Sequence, residues 1–175
     1  MSADALATWQ QSTAGGATAS AAASAQTRSD NGTSWILLPV AGRPASDVPS
    51  ATGAISTGAV IALKLIDAGG PISLEPGWVS DNLSAPATPI TVNGVVFTLA
   101  TGLPATSAGP GTPAVLHAYD GATGRRLWSS DKAMTTFASP GSFWSGSGQV
   151  YVGGHDGTLY AFGFDDERRA TNGGR

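Results

Sequence analysis

A strand, a turn and a second strand recur three times along this chain, which narrows its possible folds more than any other feature. The first strands are Trp35-Ile-Leu-Leu-Pro-Val-Ala-Gly42, Val95-Val-Phe-Thr-Leu-Ala-Thr-Gly102 and Gln149-Val-Tyr-Val-Gly-Gly-His-Asp-Gly157. Their partners are Ala59-Val-Ile-Ala-Leu-Lys64, Ala114-Val-Leu-His-Ala-Tyr-Asp120 and Thr158-Leu-Tyr-Ala-Phe-Gly163. In register, Val60 and Ala62 match Leu116 and Ala118, which match Leu159 and Ala161. Strand side chains alternate between two faces, so each pair shares one face. A small residue three times at one place points to something packing closely against that strand.

Composition agrees with short strands. Charged residues make up 12% of the 175, against ~25% in ordinary soluble domains. A long amphipathic helix needs a charged outer face, and this chain has little to build one from. Gly contributes 24 residues and Pro 11, so one residue in five forms turns or breaks helices. The net charge of −3 leaves no electrostatic footprint for nucleic acid or an anionic membrane. Zero cysteines exclude disulfides, thiolate metal sites and a cysteine nucleophile. No apolar run approaches the ~18 residues of a membrane-spanning helix, and Met1-Ser-Ala-Asp4 lacks the basic start of a signal peptide.

The connections carry further expectations. Asp156-Gly157 lies directly between two strands, a pair suited to a type I′ turn in which both residues take positive φ. At the same place the first two units have longer loops, residues 43–57 and 103–113, which by their repeated position form the default binding face of a repeat fold. Pro86 in Ser84-Ala-Pro86 and Pro140 in Ala138-Ser-Pro140 mark the starts of inner strands, where proline is tolerated; Ala25-Gln26 takes that place in the first unit. Residues 1–29 read as an irregular segment or the remnant of a preceding unit, with Trp9 closing it. Residues 30–164 hold the repeats, and 165–175 read as a flexible tail.

Ala118-x-Asp120-x-x-Thr123-Gly124-x-x-x-Trp128 is an eleven-residue signature. It resembles the tryptophan-docking repeat of quinoprotein (PQQ-dependent) dehydrogenases and of BamB-like outer-membrane assembly factors. Asp120 ends a strand, where its carboxylate can accept N–H groups of the turn Gly121-Ala122-Thr123. Gly124 supplies the positive φ that returns the chain to the next strand. In the family, the ring at Trp128 stacks between neighbouring blades against the alanine slot; burying such a ring makes its removal cost roughly 3–5 kcal/mol. The first unit keeps Trp78 but loses the Thr-Gly turn, and the third ends Ala161-Phe-Gly-Phe164 without a tryptophan. The resemblance implies an all-β partial β-propeller of about three four-stranded antiparallel blades. Propellers typically close with ~4–8 blades, so the chain reads as the C-terminal part of a larger ring, or as one completed by self-assembly.

Family enzymes hold the quinone with Ca²⁺ beside paired cysteines, which are missing here; Glu75 and Glu167, the only glutamates, fit no ligand position. His117 reads as a packed, hydrogen-bonded strand histidine sharing its face with Val115 and Tyr119. His155-Asp156 suits turn chemistry, and Arg125-Arg126 and Arg168-Arg169 suit solvated loops. Gly146-Ser-Gly148 lacks the strand-to-helix setting of a phosphate loop. Asn31-Gly-Thr33 and Asn82-Leu-Ser84 match the glycosylation sequon, which carries no meaning in a bacterial host. No catalytic, cofactor or metal residue emerges. The expectation is therefore a non-catalytic repeat scaffold for protein or ligand binding, through blade edges or the two long loops. The resemblance places it in the periplasm or cell envelope. The alternative is a C-terminal fragment of a PQQ-dependent dehydrogenase whose quinone and Ca²⁺ sit on other blades.

Overall fold

The computed structural model describes residues 26–30, 33–43, 53–67, 71–107 and 109–163. All of its regular structure is β, in three antiparallel sheets, and no sheet closes on itself among the described residues. The first sheet orders β1 (Gln26–Asp30), β2 (Thr33–Ala41), β3 (Gly58–Ile66) and β4 (Ser73–Val79) side by side. The second repeats this with β5 (Ile90–Val92), β6 (Val95–Ala100), β7 (Val115–Asp120) and β8 (Arg126–Ser129). The third holds β9 (Ala138–Gly146), β10 (Gln149–Gly154) and β11 (Leu159–Gly163). It thus has three strands among the described residues where four were expected. No described helix is long and apolar enough to cross a membrane.

The repeat register is reproduced residue for residue. Ala62 pairs with Leu37, Ala118 with Phe97 and Ala161 with Tyr151; Val60 pairs with Pro39, Leu116 with Leu99 and Leu159 with Gly153. Pro39 is tolerated inside a long strand because its β3 partner, Val60, turns its N–H and carbonyl to Ser80 instead, so no ladder bond to β3 is required of Pro39. β1 straddles the boundary drawn at residue 29, and it begins at the Gln26 of the expected offset. Pro140 lies within β9, whereas Pro86 makes only an isolated bridge to Ala100 ahead of β5.

The turns differ from expectation at one place. Asp156-Gly157 is not a type I′ pair, because of the two only Gly157 takes positive φ (82°). Its N–H donates to the Gly154 carbonyl at 3.1 Å and the Gly154 N–H to Thr158 at 2.8 Å. That is a three-residue loop closed by a left-handed glycine. Among the described residues, the two tight turns with positive φ at both residues are Asn93-Gly94 (49° and 79°) and Ser147-Gly148 (51° and 72°). Asn-Gly between apolar strands was a legible signal that the sequence reading passed over.

Three apolar clusters follow from the alternation of side chains. Ile36, Ile61 and Leu63 pack on the face of the first sheet turned away from the second. Trp35, Leu37, Val60, Ala62 and Trp78 meet Val96, Ala100 and Tyr119 between the first and second sheets. Phe97, Leu99, Leu116 and Ala118 meet Phe143, Val150 and Val152 between the second and third. The alanines of the first two units are buried, as a close packing place requires, but Ala161 of the third is exposed.

Candidate functional site

The signature segment forms a rigid turn. One oxygen of Asp120, Oδ1, accepts the N–H groups of Ala122 (3.1 Å) and Thr123 (2.9 Å) and the Thr123 hydroxyl (2.8 Å). The Thr123 hydroxyl and N–H bonds hold this carboxyl below its ordinary range. The remaining N–H of the turn, that of Gly121, donates to Gly94 of the neighbouring hairpin at 2.9 Å. Gly124 takes φ 72°, and its N–H returns to the Asp120 carbonyl at 2.8 Å.

This turn is a socket for the tryptophan of the preceding unit. Trp78 Nε1 donates to the Gly121 carbonyl at 2.7 Å. The indole lies so close to Gly124 that a Cβ there would stand 2.6 Å from its Cδ2 atom. Its ring also stacks on Tyr119, centroids 6.2 Å apart. Trp78 sits opposite Ala62 in its own sheet, as Trp128 sits opposite Ala118. Trp128 in turn meets Phe162, the third-sheet counterpart of Tyr119, edge to face at 5.5 Å. Both tryptophans thus reach from one sheet to the next.

They are not equally buried. Trp78 is 5% exposed, whereas Trp128 is 44% exposed. The counterpart of the Gly121–Gly124 socket would follow β11, outside the described residues. The deep packing energy therefore belongs to the unit that had lost its Thr-Gly turn. Beside Trp128 opens a cavity of about 450 Å³, walled by Val95, Phe97, Leu127, Val150 and Phe162. Its walls are mainly apolar, with Ser145, Ser147 and Gln149 on the turn side, so it suits a flat or aliphatic group.

A second feature went unread in the sequence: Trp-x-Ser-Asp at 78–81 and again at 128–131. Ser80 Oγ accepts the Val60 N–H at 2.8 Å and Ser130 Oγ accepts the Leu116 N–H at 2.9 Å. Their own N–H groups donate back to the carbonyls of Val60 (2.9 Å) and Leu116 (2.8 Å). Both serines are buried, and each ties its fourth strand to the third. Asp81 pairs with Arg126 of the second sheet at 2.9 Å and accepts the Tyr119 hydroxyl at 3.4 Å. Burial pushes the Tyr119 hydroxyl above its usual range, and Asp81 adds to the shift.

His117 shares this face with Tyr119, but it is not the hydrogen-bonded histidine expected. Its Nδ1 and the hydroxyl of Thr98, the residue directly opposite, are both buried without a hydrogen-bond partner in the protein. Burial, then Arg126, lowers its pKa to about 4. His155 stacks on Phe137 at 4.2 Å, while Asp156 Oδ1 caps the Thr158 N–H at 3.0 Å, both turn-building roles. Asn82 holds a loop end: its Oδ1 accepts from Ser56 N (2.8 Å), Thr57 N (2.9 Å) and the Thr57 hydroxyl (3.1 Å).

The long loops occupy the same connection in their sheets. Loop 103–113 folds on itself through the Leu103–Thr112 and Thr106–Gly109 bridges, while residues 44–52 of the other lie outside the described residues. Glu167, Arg168, Arg169, Asn31 and Trp9 also lie outside them. Among the described residues no group of three His, Cys, Asp or Glu side chains converges on a point that would hold Ca²⁺ with a quinone. No protein-family profile and no curated protein sequence matches the chain.

Proposed function

We propose that this chain is a non-catalytic β-propeller repeat scaffold that binds a protein or other ligand, akin to the BamB-like factors its signature resembles. The three sheets would be successive blades, the remaining blades lying elsewhere in a longer polypeptide or in further copies. One observation carries the reading: each tryptophan of a fourth strand reaches the matching aromatic of the next sheet, Trp78 to Tyr119 and Trp128 to Phe162. A fixed step from sheet to sheet is how a blade array is fastened. The apolar cavity beside Trp128 and the loops at 43–57 and 103–113 are the surfaces that such a scaffold would present.

Affinity capture with the immobilised chain tests this. Shortening either loop, or Trp128→Ala, should remove the proteins or ligands that the intact chain retains. Equal retention by all the variants, or retention of nothing specific, would sink the reading.

A further inference from the structure

The joint between the first and second sheets is apolar except at one place. Alternation puts Val96, Thr98 and Ala100 of β6, with Val115, His117 and Tyr119 of β7, on the face of the second sheet turned toward the first. Thr98 and His117 stand directly opposite each other on that face, and Thr98 is fully buried. Neither the Thr98 hydroxyl nor His117 Nδ1 has a hydrogen-bond partner in the protein. Two polar atoms left so among Val60, Leu83, Val96 and Ala100 would each cost free energy that a fold seldom carries.

Their polar neighbours are engaged elsewhere. Trp78 gives its indole N–H to Gly121, and Tyr119 gives its hydroxyl to Asp81. Ser129, opposite His117 on β8, accepts the Asp131 N–H at 3.1 Å. Nor is a polar pair demanded by the repeat. The same two places hold Leu38 and Ile61 in the first sheet, and Val152 and Tyr160 in the third, where the Tyr160 hydroxyl finds Thr135 Oγ1 at 3.2 Å. Among the described residues the second sheet alone sets two polar side chains against each other here.

The spacing suits one small molecule. Opposite residues of an antiparallel pair have Cβ atoms about 4.5–5.5 Å apart, and a water reaches about 2.8 Å to either side. A buried water needs at least two polar partners, and this site supplies a donor and an acceptor. The third atom of this kind, Thr91 Oγ1, belongs to β5, two strands or about 10 Å from His117, outside the reach of the same molecule.

We propose that a single water molecule is bound between the Thr98 hydroxyl and His117 Nδ1, as a fixed part of the joint between the two sheets. The Thr98 hydroxyl donates to it, and it donates to the Nδ1 lone pair, so the ring carries its proton on Nε2. An uncharged ring is required, and burial, then Arg126, keeps the His117 pKa at about 4. The water fixes the ring that backs Tyr119, centroids 6.1 Å apart, and Tyr119 is the ring on which Trp78 stacks. It is a positioning element for the contact that joins the sheets.

A high-resolution crystal structure of the chain at neutral pH, with unfolding equilibria of three variants, tests this. Density for one water within hydrogen-bond distance of both atoms is expected. Thr98→Val and His117→Leu each strand the other polar group, so each should raise the unfolding equilibrium constant about five- to tenfold. The double variant makes an apolar pair like Leu38 and Ile61 and should recover most of that loss. If no water joins them, both side chains are orphans; each single variant then stabilises the chain and the gains add, which overturns the proposal. Density showing Thr98 Oγ1 bonded directly to Nδ1, or Nδ1 bonded to another protein group, overturns it too. Should His117→Leu fail to fold, Thr98→Val decides by its sign, and nitrogen NMR of the His117 ring decides independently. A proton on Nε2 is expected, and a proton on Nδ1 would refute the arrangement.

Discussion

The indole N–H of Trp78 donates to the carbonyl of Gly121 at 2.7 Å, across 43 residues of sequence and from one sheet to the next. Gly121 opens the turn that Asp120 and Thr123 hold rigid, and Gly124 closes it under the face of the same indole. The signature motif is therefore read twice: locally as a tight turn, and at long range as the seat of another unit's tryptophan.

Trp78→Ala should destabilise the chain by about 3–5 kcal/mol, the range for a large buried aromatic. Trp128→Ala should lose less, since 44% of its surface is already in water. Urea unfolding followed by circular dichroism separates the two; equal losses would mean that Trp128 is as deeply seated as Trp78.

Gly94 and Gly124 have nearly the same φ, 79° and 72°, but different surroundings. A Cβ at Gly94 meets nothing within 4 Å, so Gly94→Ala should cost only the left-handed penalty of about 1 kcal/mol. A Cβ at Gly124 strikes the Trp78 ring, so Gly124→Ala should cost at least about 2 kcal/mol more, by displacing the indole. Melting temperatures and the emission maximum of Trp78 report the difference.

Ser80→Ala and Ser130→Ala should each cost about 1–3 kcal/mol, because each strands a buried amide, that of Val60 or Leu116. The two losses should be similar and additive, the sites being in separate sheets. Amide exchange at Val60 should rise only in the first variant, and at Leu116 only in the second.

His117 is held neutral, with a folded pKa of about 4 against an ordinary 6.5. The unfolded chain therefore binds a proton that the folded chain refuses, and stability falls as pH drops from about 6.5 toward 4. Asp120, held below its ordinary range, adds its loss only at still lower pH. His117→Phe should flatten the dependence of unfolding free energy on pH within the upper window; an unchanged slope there would mean that His117 titrates normally.

Much of this was legible in the chain because it is local. The alternation that places Val60 with Ala62 and Leu116 with Ala118 is a property of any strand, and the repeat set its register before any fold was known. The Asp120 turn was likewise readable, since its bonds span two or three residues. The Trp-x-Ser-Asp recurrence was equally available but went unnoticed, since a serine after a tryptophan draws attention only when its acceptor is known.

By itself, then, the sequence determined the kind of element, the pairing register and the shape of the signature turn, all of which follow from side-chain alternation and short-range hydrogen bonds. Only the tertiary structure decided which tryptophan is buried, and that Gly124 is needed for space as well as for φ. Those facts depend on how one sheet meets the next. Contacts between residues dozens of positions apart leave no periodic trace in the chain that makes them.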